Sequence, residues 1–421
     1  MIENIKAILK SKVVQNGIWL TILQVVNTVI PMLTIPYITR ILGANEYGVF
    51  SIALNWITYL QVLVEFGFGL SGARKVSITN NERDIQNLYN NIITARLLLT
   101  MLSIAIMLII ILLSQFEKTI IMCMVILFTM IIGTTLQLTW LFQGKEDMKF
   151  ITIINTVSRI ISVMLIFLFV KSKNDLLLYC FLYSITLLLS SIISWIVANK
   201  KYNLRFKLST VKDAIAEIKE AKYLFISAAM TKIFGGFGTT ILGIFSTNTL
   251  TGIYSAVYKI PLVLTLFFSP ISQALYPYIS KKFMEGDKEG VKSVKKIFKP
   301  IMFAYAGIAS VLIIFRKNIV NLVFGIEYVE YSEVVTILII QFLFSIVNNF
   351  LGIQILVASG KQKEYSRMFS ISCIIIIVLN IVLGKMYNIY GVATASLIGE
   401  IILTILLMFQ CKKSLEYKEK K

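Results

Sequence analysis

Long, nearly uninterrupted apolar runs recur along the whole chain, and they restrict the fold more than anything else in the sequence. Leu97–Leu113 and Ile371–Leu383 are two of them. About 18 or more apolar residues wound as helix can cross a hydrocarbon core of roughly 30 Å. Backbone groups inside that core find no water, so the runs read as helices rather than open strands. Only 15% of the 421 residues are charged and 57% are hydrophobic, whereas a soluble domain carries about 25% charged residues. The expected class is an all-α membrane protein of about twelve transmembrane helices.

Spans are expected near 17–38, 48–72, 91–113, 119–142, 150–170, 176–198, 223–246, 252–280, 299–315, 334–358, 365–384 and 390–410. The first stretch, Gly17 to Ile38, is too long for a signal-peptide core and lacks a small-residue cleavage site, so it reads as span 1. Lys and Arg segregate between the connecting segments: 30 fall on one side and 7 on the other, with four inside spans. Basic loops stay cytoplasmic. The bias therefore predicts a multi-pass protein of a bacterial cytoplasmic membrane with both termini inside. It also accounts for the net charge of +19 through attraction to an anionic leaflet, without nucleic acid.

An internal repeat divides the chain into two six-helix bundles, 1–208 and 209–421. Gly48-Val49-Phe50-Ser51 at the start of span 2 echoes Gly252-Ile253-Tyr254-Ser255 at the start of span 8, an offset of 204 residues. Gln143-Gly144-Lys145 after span 4 echoes Ser359-Gly360-Lys361 after span 10, an offset of 216. Six spans is an even number, so the halves share one orientation and should be related by a pseudo-twofold axis along the membrane normal. Two lysine-rich joints, near 209–222 and 287–298, each carry one apolar stripe and are expected to be interfacial helices on the cytoplasmic surface.

Six ionisable residues fall inside spans: Glu65, Arg96, Arg159, Lys232, Lys259 and Glu400. A charge at the bilayer centre costs about 2.5–3.5 kcal/mol on insertion scales, so these side chains should face the interior between the halves. Arg96 is close enough to the cytoplasmic end to serve equally well as an anchor. Arg40, at the outer end of span 1, is a further candidate for either role. Four cations face two anions, and the surplus suits an anionic passenger with a phosphate or pyrophosphate head.

Histidine is absent from the chain, which removes the commonest general base and metal ligand. The cysteines Cys123, Cys180, Cys373 and Cys411 lack metal or disulfide spacing and read as packing residues. Five of the six prolines lie in spans 1 and 8 (Pro31, Pro36, Pro261, Pro270, Pro277), where they should bend the helices. Gly235-Gly236-Phe237-Gly238 in span 7 permits close approach or bending. No cofactor is expected. Since no ATP-binding motif is present, uphill transport would draw on an ion gradient, the membrane potential or another protein.

Leu33-Thr34-Ile35-Pro36-Tyr37-Ile38-Thr39-Arg40-Ile41-Leu42-Gly43, followed by Glu46-Tyr47-Gly48, closely resembles the first-span signature of polysaccharide repeat-unit flippases. These are the Wzx-type O-antigen and capsule exporters of the multidrug/oligosaccharidyl-lipid/polysaccharide superfamily. Phe66-Gly67-Phe68-Gly69, Phe142-Gln143-Gly144 and Gly252-Ile253-Tyr254-Ser255 are similar to further landmarks of that family. The resemblance implies a central cavity with a cationic lining. It further implies flipping of an undecaprenyl-pyrophosphate-linked glycan by alternating access, in contact with the lipid bilayer and polysaccharide polymerase machinery, with no catalytic residues. Two rivals stand beside it. A multidrug or cation antiporter of the same superfamily would place carboxylates in its cavity. A membrane polymerase or ligase would need catalytic groups on an outer loop such as 316–333, which carries Glu327, Glu330 and Glu333.

Overall fold

The computed structural model describes residues 12–79 and 81–419. Among these, nine helices are long and apolar enough to cross a membrane, and Val211–Ile233 with Gly235–Phe245 makes a tenth, bent by 53°. Two of the nine are double. Lys12–Glu65 passes through a non-helical Gly43 (φ 75°, ψ 174°), and Gln362–Glu419 through Asn388 (φ 49°, ψ −126°). Both residues have positive φ and non-helical ψ, so the helix is interrupted at each. Divided there, the chain has the twelve expected spans, and no described residue is in a strand. Large apolar side chains point outward: Leu112 and Leu113 are 82% and 81% exposed, and Phe303 is 84% exposed. Water would not tolerate such a surface, and lipid does.

Contacts gather the chain into two units. One holds the chain up to Thr34 together with Val49–Gly236, and the other Ile35–Gly48 together with Phe237–Lys421. The division thus falls at Gly236, not at 208. Residues 209–236 stay with the first unit because their sequence gives them partners there. Lys75 bonds Glu217 at 2.8 Å and Glu220 at 2.7 Å, and Phe66 stacks on Phe225 with centroids 4.2 Å apart. Burial alone would lower the Lys75 ammonium pKa, but the two carboxylates outweigh it and hold it above its ordinary value.

The linker before Val211 is tied down by a ladder of side chains on the Glu82–Leu113 helix. Gln86 accepts from the Arg205 amide at 3.0 Å and donates to its carbonyl at 2.7 Å. Asn90 accepts from the Lys207 amide and Thr94 from the Ser209 amide, both at 3.0 Å. The periods match. Four helical residues rise about 6.0 Å and two extended residues about 6.6 Å, so positions 86, 90 and 94 meet positions 205, 207 and 209 in register. Thr210 then caps the next helix, its hydroxyl accepting from the Asp213 amide at 3.2 Å and donating to the Asp213 carboxylate at 2.6 Å.

The two amphipathic joints are not separate surface helices. The first opens the continuous Val211–Phe245 helix and the second opens Asp287–Ile314. No breaker separates either joint from its span; Pro300 sits inside the second helix without ending it. In the second unit Val294 and Tyr305 from this helix pack into one core with Phe268, Ile279, Phe342, Ile346, Phe350 and Leu407. Span 10 contains a π-helical stretch, Phe350–Val357, after the α-helix Ser332–Asn349.

Within the second unit the repeat at Gly48 and Gly252 becomes a physical contact. A Cβ on Gly48 would lie 1.8 Å from the Asn248 carbonyl oxygen, and one on Gly252 would lie 2.0 Å from that of Ala44. Thr249 donates to Asn45 at 3.4 Å. The two glycines also face each other, and the pairings 45 with 249 and 48 with 252 share the offset of 204 residues, flanked symmetrically by 48 with 248 and 44 with 252. The contact is reciprocal, as a local twofold requires.

Candidate functional site

In the first unit Arg96 is only 3% exposed, and span 4 explains why. That span is interrupted: one helix ends at Leu136 and the next begins at Thr139. The carbonyls at such a break need donors, and lipid offers none. Arg96 Nη1 donates to the Gln137 oxygen at 2.5 Å and to the Thr134 oxygen at 3.1 Å. Its guanidinium sits 5.9 Å from the centroid of the Phe68 ring, and Glu65 acts on it electrostatically without a hydrogen bond. Arg96 is therefore committed to protein partners.

The Phe66-Gly67-Phe68-Gly69 motif builds this arrangement. Phe66 and Gly67 both have positive φ (46° and 76°), which breaks the chain between the helices ending at Glu65 and starting at Phe68. A Cβ on Gly67 would lie 2.6 Å from that of Leu224, so only glycine admits the neighbouring helix. Phe142-Gln143-Gly144 packs on the same short helix: a Cβ at Gly144 would meet Val76 at 2.5 Å.

Arg159, half-buried on Met148–Phe169, reaches the Asn27 carbonyl at 3.4 Å. Asn27 is four residues before Pro31. Proline has no amide hydrogen, so that carbonyl loses its intrahelical donor. The proline opens an acceptor and the arginine meets it, weakly. No carboxylate pairs with Arg159 among the described residues. Lys232 is exposed in the same unit and has no hydrogen bond or ion pair among the described residues. One turn later, a Cβ on Gly236 would lie 2.3 Å from the Asn55 Oδ1 and 2.9 Å from the Tyr59 hydroxyl.

In the second unit Glu400 is held by an asparagine. Asn348 Nδ2 donates to the carboxylate at 2.7 Å and to the Glu400 carbonyl at 3.0 Å, and Thr404 donates to Asn348 Oδ1 at 2.7 Å. Tyr258 and Tyr365 lie within electrostatic reach of that carboxylate. Gln354 in the π-helical turn donates to the Ser272 carbonyl at 2.9 Å. Lys259 is half-buried and has neither ion pair nor hydrogen bond among the described residues. Arg40 donates to the Asn321 carbonyl at 3.2 Å and to that of Leu322. It caps the C-terminal turn of the Arg316–Val323 helix, where cations are favoured.

The in-span charges therefore sort into two classes. Arg96, Glu65 and Glu400 face specific protein groups, and Arg40 is a helix cap. Arg159, Lys232 and Lys259 are cations with no paired carboxylate among the described residues. Sequence reading missed Asn348 and the Asn27–Pro31 pair. The signal for each was present: an amide inside an apolar run, and a proline four residues after an asparagine.

The profile of the "Polysaccharide biosynthesis protein" family matches residues 13–283. The chain belongs to this family. Among its relatives, the putative O-antigen transporter of Escherichia coli (strain K12) is 26% identical over 407 residues, covering 94% of this chain and 96% of that protein. Two solved structures match the family member's fold. The lipid II flippase MurJ, in an inward closed conformation, gives a TM-score of 0.72 at 15% identity, over 95% of this chain and 87% of that one. An inward-facing multidrug resistance MATE transporter of the MOP superfamily gives 0.71 at 10% identity, over 96% and 99%. At these identities the likeness carries the fold alone. A flippase and a drug transporter share it equally, so the choice between them rests on the side chains.

Proposed function

We propose that this polysaccharide biosynthesis protein flips an undecaprenyl-pyrophosphate-linked oligosaccharide from the cytoplasmic to the outer leaflet by alternating access, for O-antigen or capsule assembly. The observation that carries the reading is the set of three in-span cations, Arg159, Lys232 and Lys259, that no carboxylate among the described residues neutralises. Unpaired cations at membrane depth are costly and mark pathways for ions or charged passengers. A pyrophosphate head would supply the missing counter-charge, and guanidinium and ammonium groups are its natural ligands. The similarity to a putative O-antigen transporter points the same way. In this reading both termini face the cytoplasm, as the charge bias implies. No covalent bond is made or broken, and the passenger is handed to polymerase machinery outside.

The antiporter alternative needs a carboxylate free to take a cation. Glu400 already accepts from Asn348, and Glu65 faces Arg96. The experiment is a comparison of lipid extracts from wild-type and deletion strains, complemented with Arg159→Ala, Lys232→Ala and the double variant. Undecaprenyl-linked sugar should accumulate in the deletion and in the double variant while the protein still inserts. Full export by the double variant would sink the cationic mechanism, and no accumulation in the deletion would sink the flippase reading.

A further inference from the structure

Span 6 places beside Arg159 a tyrosine that the in-span charges alone do not reveal. On Met148–Phe169, Thr152, Asn155, Arg159 and Ser162 follow one another at spacings of three and four, so they share one side of the helix. Each meets a neighbour. Thr152 donates to the Trp19 carbonyl at 2.8 Å and Arg159 to that of Asn27 at 3.4 Å, both on span 1. Asn155 accepts from Ser190 at 3.0 Å and Ser162 donates to the Leu182 carbonyl, both on Leu176–Tyr202. From Asn155 to Ser162 the chain advances seven residues, and from Ser190 to Leu182 it goes back eight. The two helices are therefore antiparallel and in register over this stretch, with Arg159 between the two rungs.

Tyr183 falls between the same rungs. It stands two turns from Ser190, on the same side of its helix. Its hydroxyl is within electrostatic reach of the Arg159 guanidinium, without a hydrogen bond to it. Ring contacts fix the side chain. The Tyr183 centroid lies 5.1 Å from that of Phe50 and 6.0 Å from that of Tyr179, and those two rings are 4.6 Å apart. Phe50 and Tyr179 are buried, whereas Tyr183 is half-buried, so a fixed platform presents a phenol that can still be reached. Phe50 comes from the Gly48-Val49-Phe50-Ser51 motif, whose aromatic residue thereby gains a role. Among the described residues the Tyr183 hydroxyl has no hydrogen-bond partner. A tyrosine placed among packed rings normally finds one.

We infer that the Tyr183 hydroxyl is a second ligand of the passenger's pyrophosphate and donates to the head group that Arg159 binds. The inference rests on the flippase reading and adds to it a residue that carries no charge. Arg159 spends one N–H on a carbonyl at 3.4 Å, and a guanidinium has further donors to offer. A phosphoryl group accepts from a guanidinium and a phenol at once, and it brings the counter-charge that Arg159 lacks. A sugar hydroxyl could satisfy the phenol, but it would leave the cation unpaired. The two donors come from different helices, so one head group would bridge spans 5 and 6 where their side chains stop short of each other.

The test uses the full chain in phosphatidylcholine nanodiscs, with undecaprenyl diphosphate as the probe and undecaprenol as its uncharged counterpart. Bound lipid is read by native mass spectrometry, which reports on folded protein only. Tyr183→Phe keeps the ring contacts and removes the hydroxyl, so its thermal unfolding should match wild type. It should hold undecaprenyl diphosphate about tenfold less tightly, the scale of one hydrogen bond to a charged group, and hold undecaprenol as wild type does. Arg159→Met should lose about tenfold or more. The double variant should lose less than the product of the two single losses, because both groups hold one head. The probe carries no sugar. A hydroxyl that reads the glycan, or that merely packs, would leave its binding unchanged in Tyr183→Phe, and that result overturns the assignment. Single losses that multiply in full overturn it as well, since the two groups would then act apart. The flippase reading fails by a different result, a deletion strain that accumulates no linked sugar.

Discussion

Arg96 and Arg159 both sit inside spans, and replacing each by methionine should separate a cation that holds the fold from one that serves the passenger. In Arg96→Met the Gln137 oxygen loses its donor and stays buried, which costs about 1–3 kcal/mol. The charge-assisted bond to Thr134 is worth about 1.5–3 kcal/mol more, although that oxygen keeps the Gln137 amide at 3.3 Å. Against this, methionine brings no charge into a low-dielectric interior, and the Arg96 Nε, buried without a partner, is no longer there. The net expectation is a loss of about 2–4 kcal/mol. Arg159→Met gives up one bond of 3.4 Å and should cost less than about 1 kcal/mol. The assay pairs thermal unfolding of detergent-purified protein, followed by size-exclusion fluorescence, with glycan export in the complemented deletion. Arg96→Met should unfold several degrees early, with export falling in proportion to folded protein. Arg159→Met should unfold normally and fail to export. If Arg96→Met is as stable as wild type, or Arg159→Met is the less stable of the two, the division of roles is wrong.

Gly48→Ala and Gly252→Ala should each disrupt the reciprocal contact. The 1.8 Å and 2.0 Å approaches must open by well over 1 Å, costing about 1–3 kcal/mol or more, while Gly17→Ala, inside a helix with nothing within 4 Å, should not destabilise in the same unfolding assay and should raise stability by up to about 1 kcal/mol. Gln86→Ala with Asn90→Ala and Thr94→Ala removes four bonds to the linker, so limited trypsin digestion should cut at Arg205 and Lys207 at least tenfold faster; wild-type digestion rates would refute the ladder. Lys75 is raised above its usual 10.5 by its two carboxylates, so its contribution is complete below that value and is lost only as pH rises through the folded-state value. Lys75→Gln should accordingly lower unfolding temperature by the same small amount from pH 6 to 9, and a difference that vanished by about pH 8 would contradict the pairing.

The spans were legible because lipid imposes a rule on every residue of a crossing segment, and the composition of twelve runs obeys it. The repeat was legible for a related reason. Glycines at 48 and 252 are required wherever two backbones touch, and the touch occurs at that offset. What the sequence concealed depends on partners far along the chain. Nothing local to 209–236 announces that Leu224 and Phe225 pack against Gly67 and Phe66, so a boundary drawn at the basic linker misses where the contacts divide. The joints at 209–222 and 287–298 have the apolar stripe of surface helices, but no breaker separates them from the spans that follow. The break in span 4 at Gln137–Leu138 and the π-helical turn at Phe350–Val357 lie in apolar runs, each marked only by one amide, Gln137 and Gln354, whose partners are far along the chain. Arg96 could not be assigned without the first of them.

The in-span charges show why residue type alone ranks a site poorly and bonding opportunity ranks it better. Arg96 and Arg159 are the same residue, each inside a span, and both meet backbone carbonyls that a helix has released. At Arg96 the release is a full break, the acceptors are two and the bonds are short, so the guanidinium is consumed. At Arg159 the release is a single carbonyl opposite Pro31, reached at 3.4 Å. A carbonyl dipole orients a guanidinium without cancelling its charge, whereas a carboxylate would do both. Under the proposed mechanism Pro31 therefore has a role that a kink alone does not give it: it supplies a weak, neutral rest position for the cation proposed to bind the passenger's anion. Replacing Pro31 by alanine would supply an amide N–H at position 31 for the Asn27 carbonyl to accept within the helix, and so withdraw that rest position. Export should fall while helix stability rises, an opposite pairing to that of Arg96→Met. A Pro31→Ala protein that exports at the wild-type rate would show that the carbonyl does not position Arg159.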